Sequence, residues 1–229
     1  HDFTLRGQTN VPFPVLKPVF EQAFTGLIKG AYENDTLNGL TFYAGLPARQ
    51  VMIIRSYIRY LRQTTLPYSL PYMEQAVITY PGIAADFVRY FLAKFDPDLK
   101  SRKVTDIEKR IEEQLEGVSS LDHDRILRGL YMVFQASVRT NYFQVQKDQM
   151  PKEYLSFKIE SQKVPFLPDP KPYREIFVYS PRVEGVHLRS HRISRGGLRW
   201  SDRVEDFRSE VLSLVKAQIV KNSVVVASG

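Results

Sequence analysis

The sequence predicts a mixed fold, an all-α part over residues 1–150 followed by an α/β part over residues 151–229. Three observations carry that reading. Apolar residues recur at helical spacing in successive runs through the first part, and the periodicity stops around residues 144–152, where Met150-Pro151 marks a break. Beyond it, Tyr154, Phe157 and Ile159 begin an alternation of period two, as in a strand with one buried face. Pro165, Pro168, Pro170 and Pro172 then stiffen an extended connector to the next strand.

Residues 1–15 carry Pro12 and Pro14 and little periodicity, and read as an extended lead-in. Val19, Phe20, Ala23, Phe24, Leu27 and Ile28 predict a helix that Asn34-Asp35 ends. Residues 37–45 are apolar and glycine-punctuated, which fits a loop or one strand. Pro47 opens a helix at a position that suits proline. Its apolar face is Val51, Ile54, Ile58 and Leu61, and Arg49, Arg59 and Arg62 form a basic outer face. Pro67 and Pro71 break the pattern. A short helix over 72–80 stops at Pro81, and another over 83–95 carries Phe87, Phe91 and Phe95 one turn apart. Those rings read as core, because the interleaved strand geometry of a base-stacking platform is missing.

After the turn Asp96-Pro97-Asp98, residues 104–118 form a charged helix with Ile107, Ile111 and Leu115 as its seam. Glu108, Glu112 and Glu116 run beside that seam. With Lys109 and Arg110 nearby they read as a solvated row and not as an acid/base pair. Leu121-Asp122-His123-Asp124 opens the next helix, whose apolar face is Ile126, Leu130, Val133, Phe134 and Val138. His123 has no second His or Cys at ligand spacing and is assigned to capping and surface. In the second part, residues 174–179 read as a strand, and 186–189 as another after the turn at Glu184-Gly185. His187 and His191 fall on strand and loop without further ligands, so no metal site is expected.

The last third holds the chemistry. Gly196 and Gly197 allow positive φ and close backbone approach, so they mark a tight turn or a place where a ligand meets the main chain. Arg195 and Arg199 flank them, and cationic side chains beside exposed N–H groups suit a carboxylate or a phosphate. Asp202 reads as a helix N-cap with Glu205 completing a capping box. At about 100° per residue, Phe207, Val211, Leu214, Gln218 and Lys221 share one stripe, Leu212, Val215 and Ile219 widen it, and Ser209, Ser213 and Lys216 lie opposite. Lys221 therefore ends an apolar stripe, where it either meets an anion or snorkels past the helix end to water.

The run Arg195-Gly196-Gly197-Leu198-Arg199-Trp200-Ser201-Asp202-Arg203 resembles the NAD-specific glutamate dehydrogenases of the large-subunit bacterial class. So do Glu205-Asp206-Phe207-Arg208, Glu210-Val211-Leu212, Leu214-Val215-Lys216-Ala217-Gln218 and Val220-Lys221-Asn222. The stretch from Glu175 to Arg189, and Leu121-Asp122 with Asp124 to Arg128, are similar to the same family. The resemblance implies that residues 1–150 are a helical scaffold and that residues 151–229 begin the substrate domain of an amino-acid dehydrogenase. It implies that Arg195 stands where a lysine holds the substrate's side-chain carboxylate in relatives, a planar fork replacing a point charge. Lys221 matches a second lysine, which holds the α-carboxylate region. Gly196, Gly197 and Arg199 complete the implied substrate-binding set, Arg199 with the alternative of pairing with Asp202 or Glu205. A third, catalytic lysine is expected beyond Gly229. Ala227-Ser228 departs from the proline-containing pair usual there.

The implied activity is oxidative deamination of L-glutamate to 2-oxoglutarate and ammonium, with hydride passed to NAD. No Gly-x-Gly-x-x-Gly fingerprint is present, so NAD is expected to be bound by a domain outside this chain. The chain alone is expected to be inactive, and the full-length protein a cytoplasmic homo-oligomer. Two other readings stay open at this point. One is a dehydrogenase of another amino acid, and the other a basic helical module, binding or regulatory.

Composition bounds these readings. A chain of 229 residues, 43% of them hydrophobic, can bury one large or two modest cores. The net charge is +7, but Arg and Lys alternate with Glu and Asp, so no nucleic-acid partner is expected. No apolar run approaches the ~20 residues of a membrane span, and no membrane partner is expected. Without cysteine there is neither a disulfide framework nor thiolate chemistry, in keeping with a reducing compartment. His1-Asp2 is not a natural start, and the chain is expected to be part of something longer.

Overall fold

Helix α3 (Ala48–Arg62) is the axis of the molecule, with eleven of its 15 residues buried. The structure is a computed structural model that describes residues 9, 11–99, 104–190, 196–197, 201 and 203–220. In it α3 is surrounded, with helices α1, α4, α5 and α7 and strands β2 and β3 packed around it. Ile53, Ile54, Ile58 and Leu61 are fully buried, each contributing about 1.5–3 kcal/mol of transfer free energy. No basic outer face exists. Arg55 is buried and bonded to Asp35 at 2.5 and 2.7 Å, and Arg49 donates to the carbonyls of Tyr142 and Lys152. Arg59 and Arg62 pair with carboxylates of other elements. A one-face reading of α3 fails because a central helix has neighbours all round.

Helix α1 (Phe13–Ile28) starts earlier than expected, within the stretch read as a lead-in. Pro12 and Pro14 initiate it, since a missing N–H is harmless in a first turn. Only Leu16 and Ala23 of this helix are buried. It ends at Ile28, before a turn at Gly30, whose φ is 68°. Asp35 does not end it. Its carboxylate caps a 3-10 turn (Thr36–Asn38), accepting from the Leu37 N–H at 3.1 Å. That turn and α2 (Gly39–Tyr43) replace the loop or strand expected over 37–45. Leu37 and Leu40, three residues apart, are both fully buried, which a strand's alternation would not allow.

Helices α4 (Leu70–Thr79), α5 (Pro81–Phe95), α6 (Val104–Glu116) and α7 (Leu121–Ala136) follow as the periodicity predicts. Phe87 and Phe91 are core residues, and Ile111 and Leu115 of the α6 seam are buried. Asp86, 2% exposed, receives Arg110 at 2.7 Å and Gln114 at 2.6 Å, which ties α5 to α6. The N-cap of α7 is Ser120, whose Oγ accepts from the His123 N–H at 3.4 Å. Val138 is not on that helix. The chain passes directly into β1 (Ser137–Thr140), ahead of the change of character expected near 150.

Strands β2 (Leu155–Ile159), β3 (Arg174–Tyr179), β4 (Glu184–Arg189) and β5 (Gly196–Gly197) complete an antiparallel sheet in the order β1-β2-β3-β4-β5. The register aligns three inward rows. These are Leu155–Tyr179–Glu184, Phe157–Phe177–Val186 and Ile159–Glu175–Leu188–Gly197. One face of the sheet meets α3, and α8 (Phe207–Val220) packs on β4 and β5. A single apolar cluster runs from Leu37 to Val215 through helices and sheet together. The expected order, helices first and an α/β part after, is the order found. Among the described residues no helix is long and apolar enough to cross a membrane.

Candidate functional site

The glycine pair is the edge of the sheet. Gly197 pairs with Leu188 on an inward row, and Gly196 with Arg189 on the outward one. It is thus a two-residue strand and not the tight turn that was one expectation. Helix α8 packs against both β4 and β5. Of the expected substrate-binding residues, Gly196 and Gly197 are seen in this way, whereas Arg195, Arg199 and Lys221 lie outside the described residues. Lys221 follows Val220, the last residue of α8, in sequence.

Helix α8 begins at Phe207, after a turn in which the Phe207 N–H donates to the Arg203 carbonyl at 3.1 Å. Asp202 lies outside the described residues. Glu205 precedes the helix, and its exposed carboxylate bonds Arg62 of α3 at 2.8 Å. Val211, Leu212 and Val215 are buried, Phe207 and Leu214 half-buried, and Ser209, Ser213 and Lys216 exposed, as the stripe predicts.

One buried residue on that face was not anticipated. Arg208 is 0% exposed and forks onto Glu175, also 0% exposed, at 2.8 and 2.5 Å. Glu175 sits on the inward row between Ile159 and Leu188. The Tyr60 hydroxyl of α3 donates to the same carboxylate at 3.2 Å. Gln63, the C-cap of α3, donates to the Val204 carbonyl at 2.7 Å and accepts the Arg208 N–H at 3.2 Å. Helix α3, strand β3 and the first turn of α8 therefore meet at one polar node inside the core. Burial pulls the Arg208 guanidinium towards its neutral form, but the bond and charge of Glu175 outweigh it and leave the pKa above its ordinary value. Burial and then the Glu175 charge push the Tyr60 hydroxyl well above its ordinary range, so it stays a donor. Two sequence signals pointed here. Arg208 precedes Val211, Leu212 and Val215 at helical spacing, and Glu175 alternates with Phe177 and Tyr179.

A cleft of about 600 Å3 opens beside this node. Val186, Phe207 and Val211 form its apolar wall, and Glu33, Arg59 and Glu184 supply its charge. Arg59 bridges the two acids, at 3.0 Å to Glu33 and 3.4 Å to Glu184. Burial pushes the Glu184 carboxyl up to about 7; Arg59 opposes the rise and the Glu33 charge adds to it. Its folded pKa thus exceeds the ordinary 4.5. The stability this contributes is present at low pH and is lost as pH rises from 4.5 towards 7. Glu184→Gln mimics the protonated form. The variant is expected to match the wild type near pH 4.5 and to exceed it in stability at pH 8, read as urea midpoints across that range. Parallel pH profiles would contradict the assignment.

Among the described residues no group of three or more His, Asp or Glu stands together as metal ligands. His187 is half-buried on β4, and its pKa is lowered by burial and then by Arg189. His123 stacks edge-on to Tyr72 and Tyr80. The sheet is an antiparallel meander without the parallel βα unit whose helix N-terminus takes a dinucleotide pyrophosphate.

Residues 110–229, just over half of the chain, match the family model described as bacterial NAD-glutamate dehydrogenase, catalytic domain. Residues 32–97 match a second one, glutamate dehydrogenase, helical motif 3. The chain belongs to the bacterial NAD-glutamate dehydrogenase family. Similar curated proteins are the NAD-specific glutamate dehydrogenases of Pseudomonas aeruginosa, 44% identical over 237 residues, and Halomonas elongata, 42% identical over 233. Each alignment covers all of this chain. That of Mycobacterium tuberculosis is 43% identical over 215 residues, 92% of the chain. The chain spans only 15%, 14% and 13% of the length of these relatives.

Proposed function

We propose that this chain is the substrate-side part of an NAD-dependent glutamate dehydrogenase. The whole enzyme takes L-glutamate to 2-oxoglutarate and ammonium, and the hydride from the α-carbon passes to NAD held outside these residues. Residues 1–150 act as a helical scaffold, and residues 151–229 begin the substrate domain. The observation that supports this most is the packing of α8 against β4 and the glycine edge, in a chain whose relatives bear that name. A dicarboxylate needs cations at fixed spacing, and the two ends of this unit can supply them. Arg195 beside the glycine edge takes the side-chain carboxylate, and Lys221 beyond α8 takes the α-carboxylate. Gly196 and Gly197 bring main chain close to the substrate, and Arg199 adds a cation to the same loop. The full-length enzyme is a cytoplasmic homo-oligomer in this reading, with no nucleic acid or membrane as partner.

The test is Arg195→Ala in the full-length enzyme. Removing one partner of a buried, hydrogen-bonded charge pair costs about 2–5 kcal/mol, so kcat/KM for L-glutamate should fall by roughly 30-fold or more. Turnover of L-leucine, which offers no side-chain carboxylate, should change little. Equal losses on both substrates would remove Arg195 from the site.

A further inference from the structure

The node on α8 has more polar content than stability requires. A buried ion pair contributes little beyond an apolar pair of the same volume, because desolvation offsets the attraction. Here the balance is poorer still, since Arg208 Nη1 is buried without a hydrogen-bond partner among the described residues. What a bidentate fork does supply is direction, as guanidinium and carboxylate meet in few orientations. Glu175 lies on the same inward row as Leu188 and Gly197, one strand from β4 and two from the glycine edge. Arg208 lies one residue into α8. Gln63 and Tyr60 reference both to the rigid central helix.

We propose that the Arg208–Glu175 pair is a positioning device that sets the direction of α8 against the glycine edge, and thereby the register of the substrate's α-carboxylate with the reacting carbon. The inference rests on the function proposed above. Both are positioning residues, because neither faces substrate. The lever is long. The twelve steps from Arg208 to Val220, the last residue of α8, correspond to about 18 Å of helix rise. A change of roughly 3° in direction at the node would move that far end by about 1 Å, and a misplacement of that size can lower turnover by about 100-fold. Apolar side chains at the node would keep the burial and lose the fixed direction.

The experiment uses the full-length enzyme carrying Glu175→Leu together with Arg208→Met. The melting temperature should stay within about 4 °C of wild type, the upper end of the shift that about 1 kcal/mol makes in a unit of this size. KM for NAD should be unchanged, and kcat/KM for L-glutamate should fall by about 100-fold, the size of loss set by that displacement. Turnover of other amino acids should fall in proportion, because the α-carboxylate is common to all of them. Arg195→Ala instead changes the glutamate-to-leucine ratio, so failure of the substrate assignment and failure of the positioning role give different patterns. Arg208→Lys keeps the charge without the fork, and should fold and lose turnover like the double variant. Wild-type kinetics in a folded double variant would overturn the proposal. So would a double variant that does not fold, which would make the pair a stability element, and so would full activity in Arg208→Lys.

Discussion

Replacing Tyr57 by alanine is expected to destabilise the 229-residue chain by about 4 kcal/mol, the middle of the range for deleting a buried aromatic ring. Tyr57 is fully buried, stacked on Phe134 of α7 at 3.9 Å and on Phe157 of β2 at 4.1 Å between ring centroids. Phe91 of α5 meets its edge at 6.1 Å. The ring therefore joins α3, which falls within the helical-motif match, to elements within the catalytic-domain match. Little can collapse into the space it would leave, because its neighbours are held by two helices and a sheet. Tyr57→Phe should lose only the hydroxyl that donates to Ser137 Oγ at 2.9 Å, about 1 kcal/mol. Urea titration of both variants distinguishes ring from hydroxyl. A loss below about 1.5 kcal/mol for Tyr57→Ala would mean that the two parts do not share one cooperative core.

Glu175→Leu alone should destabilise by a similar amount, about 3–5 kcal/mol, because it leaves the Arg208 guanidinium buried and unpaired. Arg208→Met alone should cost as much by stranding the carboxylate. Combining the two should restore most of the loss, since leucine and methionine can fill the volume without desolvating a charge. The coupling term of the double-mutant cycle is then several kcal/mol, well above the few tenths seen for distant sites. Additive losses would show that the two side chains act separately. Equilibrium denaturation of the four proteins decides the matter.

Much of the helical part was legible. Helices α3 to α7 announced themselves because apolar residues repeat at 3.6 and, for α3, α4 and α5, because a proline marks the start, both local properties. The start of α1 was missed because a proline reads equally as a breaker and as a first-turn residue. The glycine edge was legible as unusual backbone but not as a strand. A two-residue strand has no periodicity and exists only by pairing with β4. Arg208 and Glu175 could have been flagged as charges inside apolar patterns, but the resemblance drew attention to Arg195 and Lys221. Arg55 gave no such signal, since its partner Asp35 lies twenty residues away across a turn that was itself misread.

From its residues alone, this chain was committed to helices followed by strands and to a glycine pair between arginines, cations that suit a carboxylate or a phosphate. Those follow from short-range rules of spacing, turn propensity and charge type. Folding decided the rest: that α3 lies at the centre and not at the surface, that its arginines are consumed by specific carboxylates and backbone carbonyls, and that one buried ion pair ties α8 to the sheet. A helical wheel tells which way a side chain points. Which of several distant partners it meets depends on how whole elements pack, and that choice is made by burial summed over the entire core.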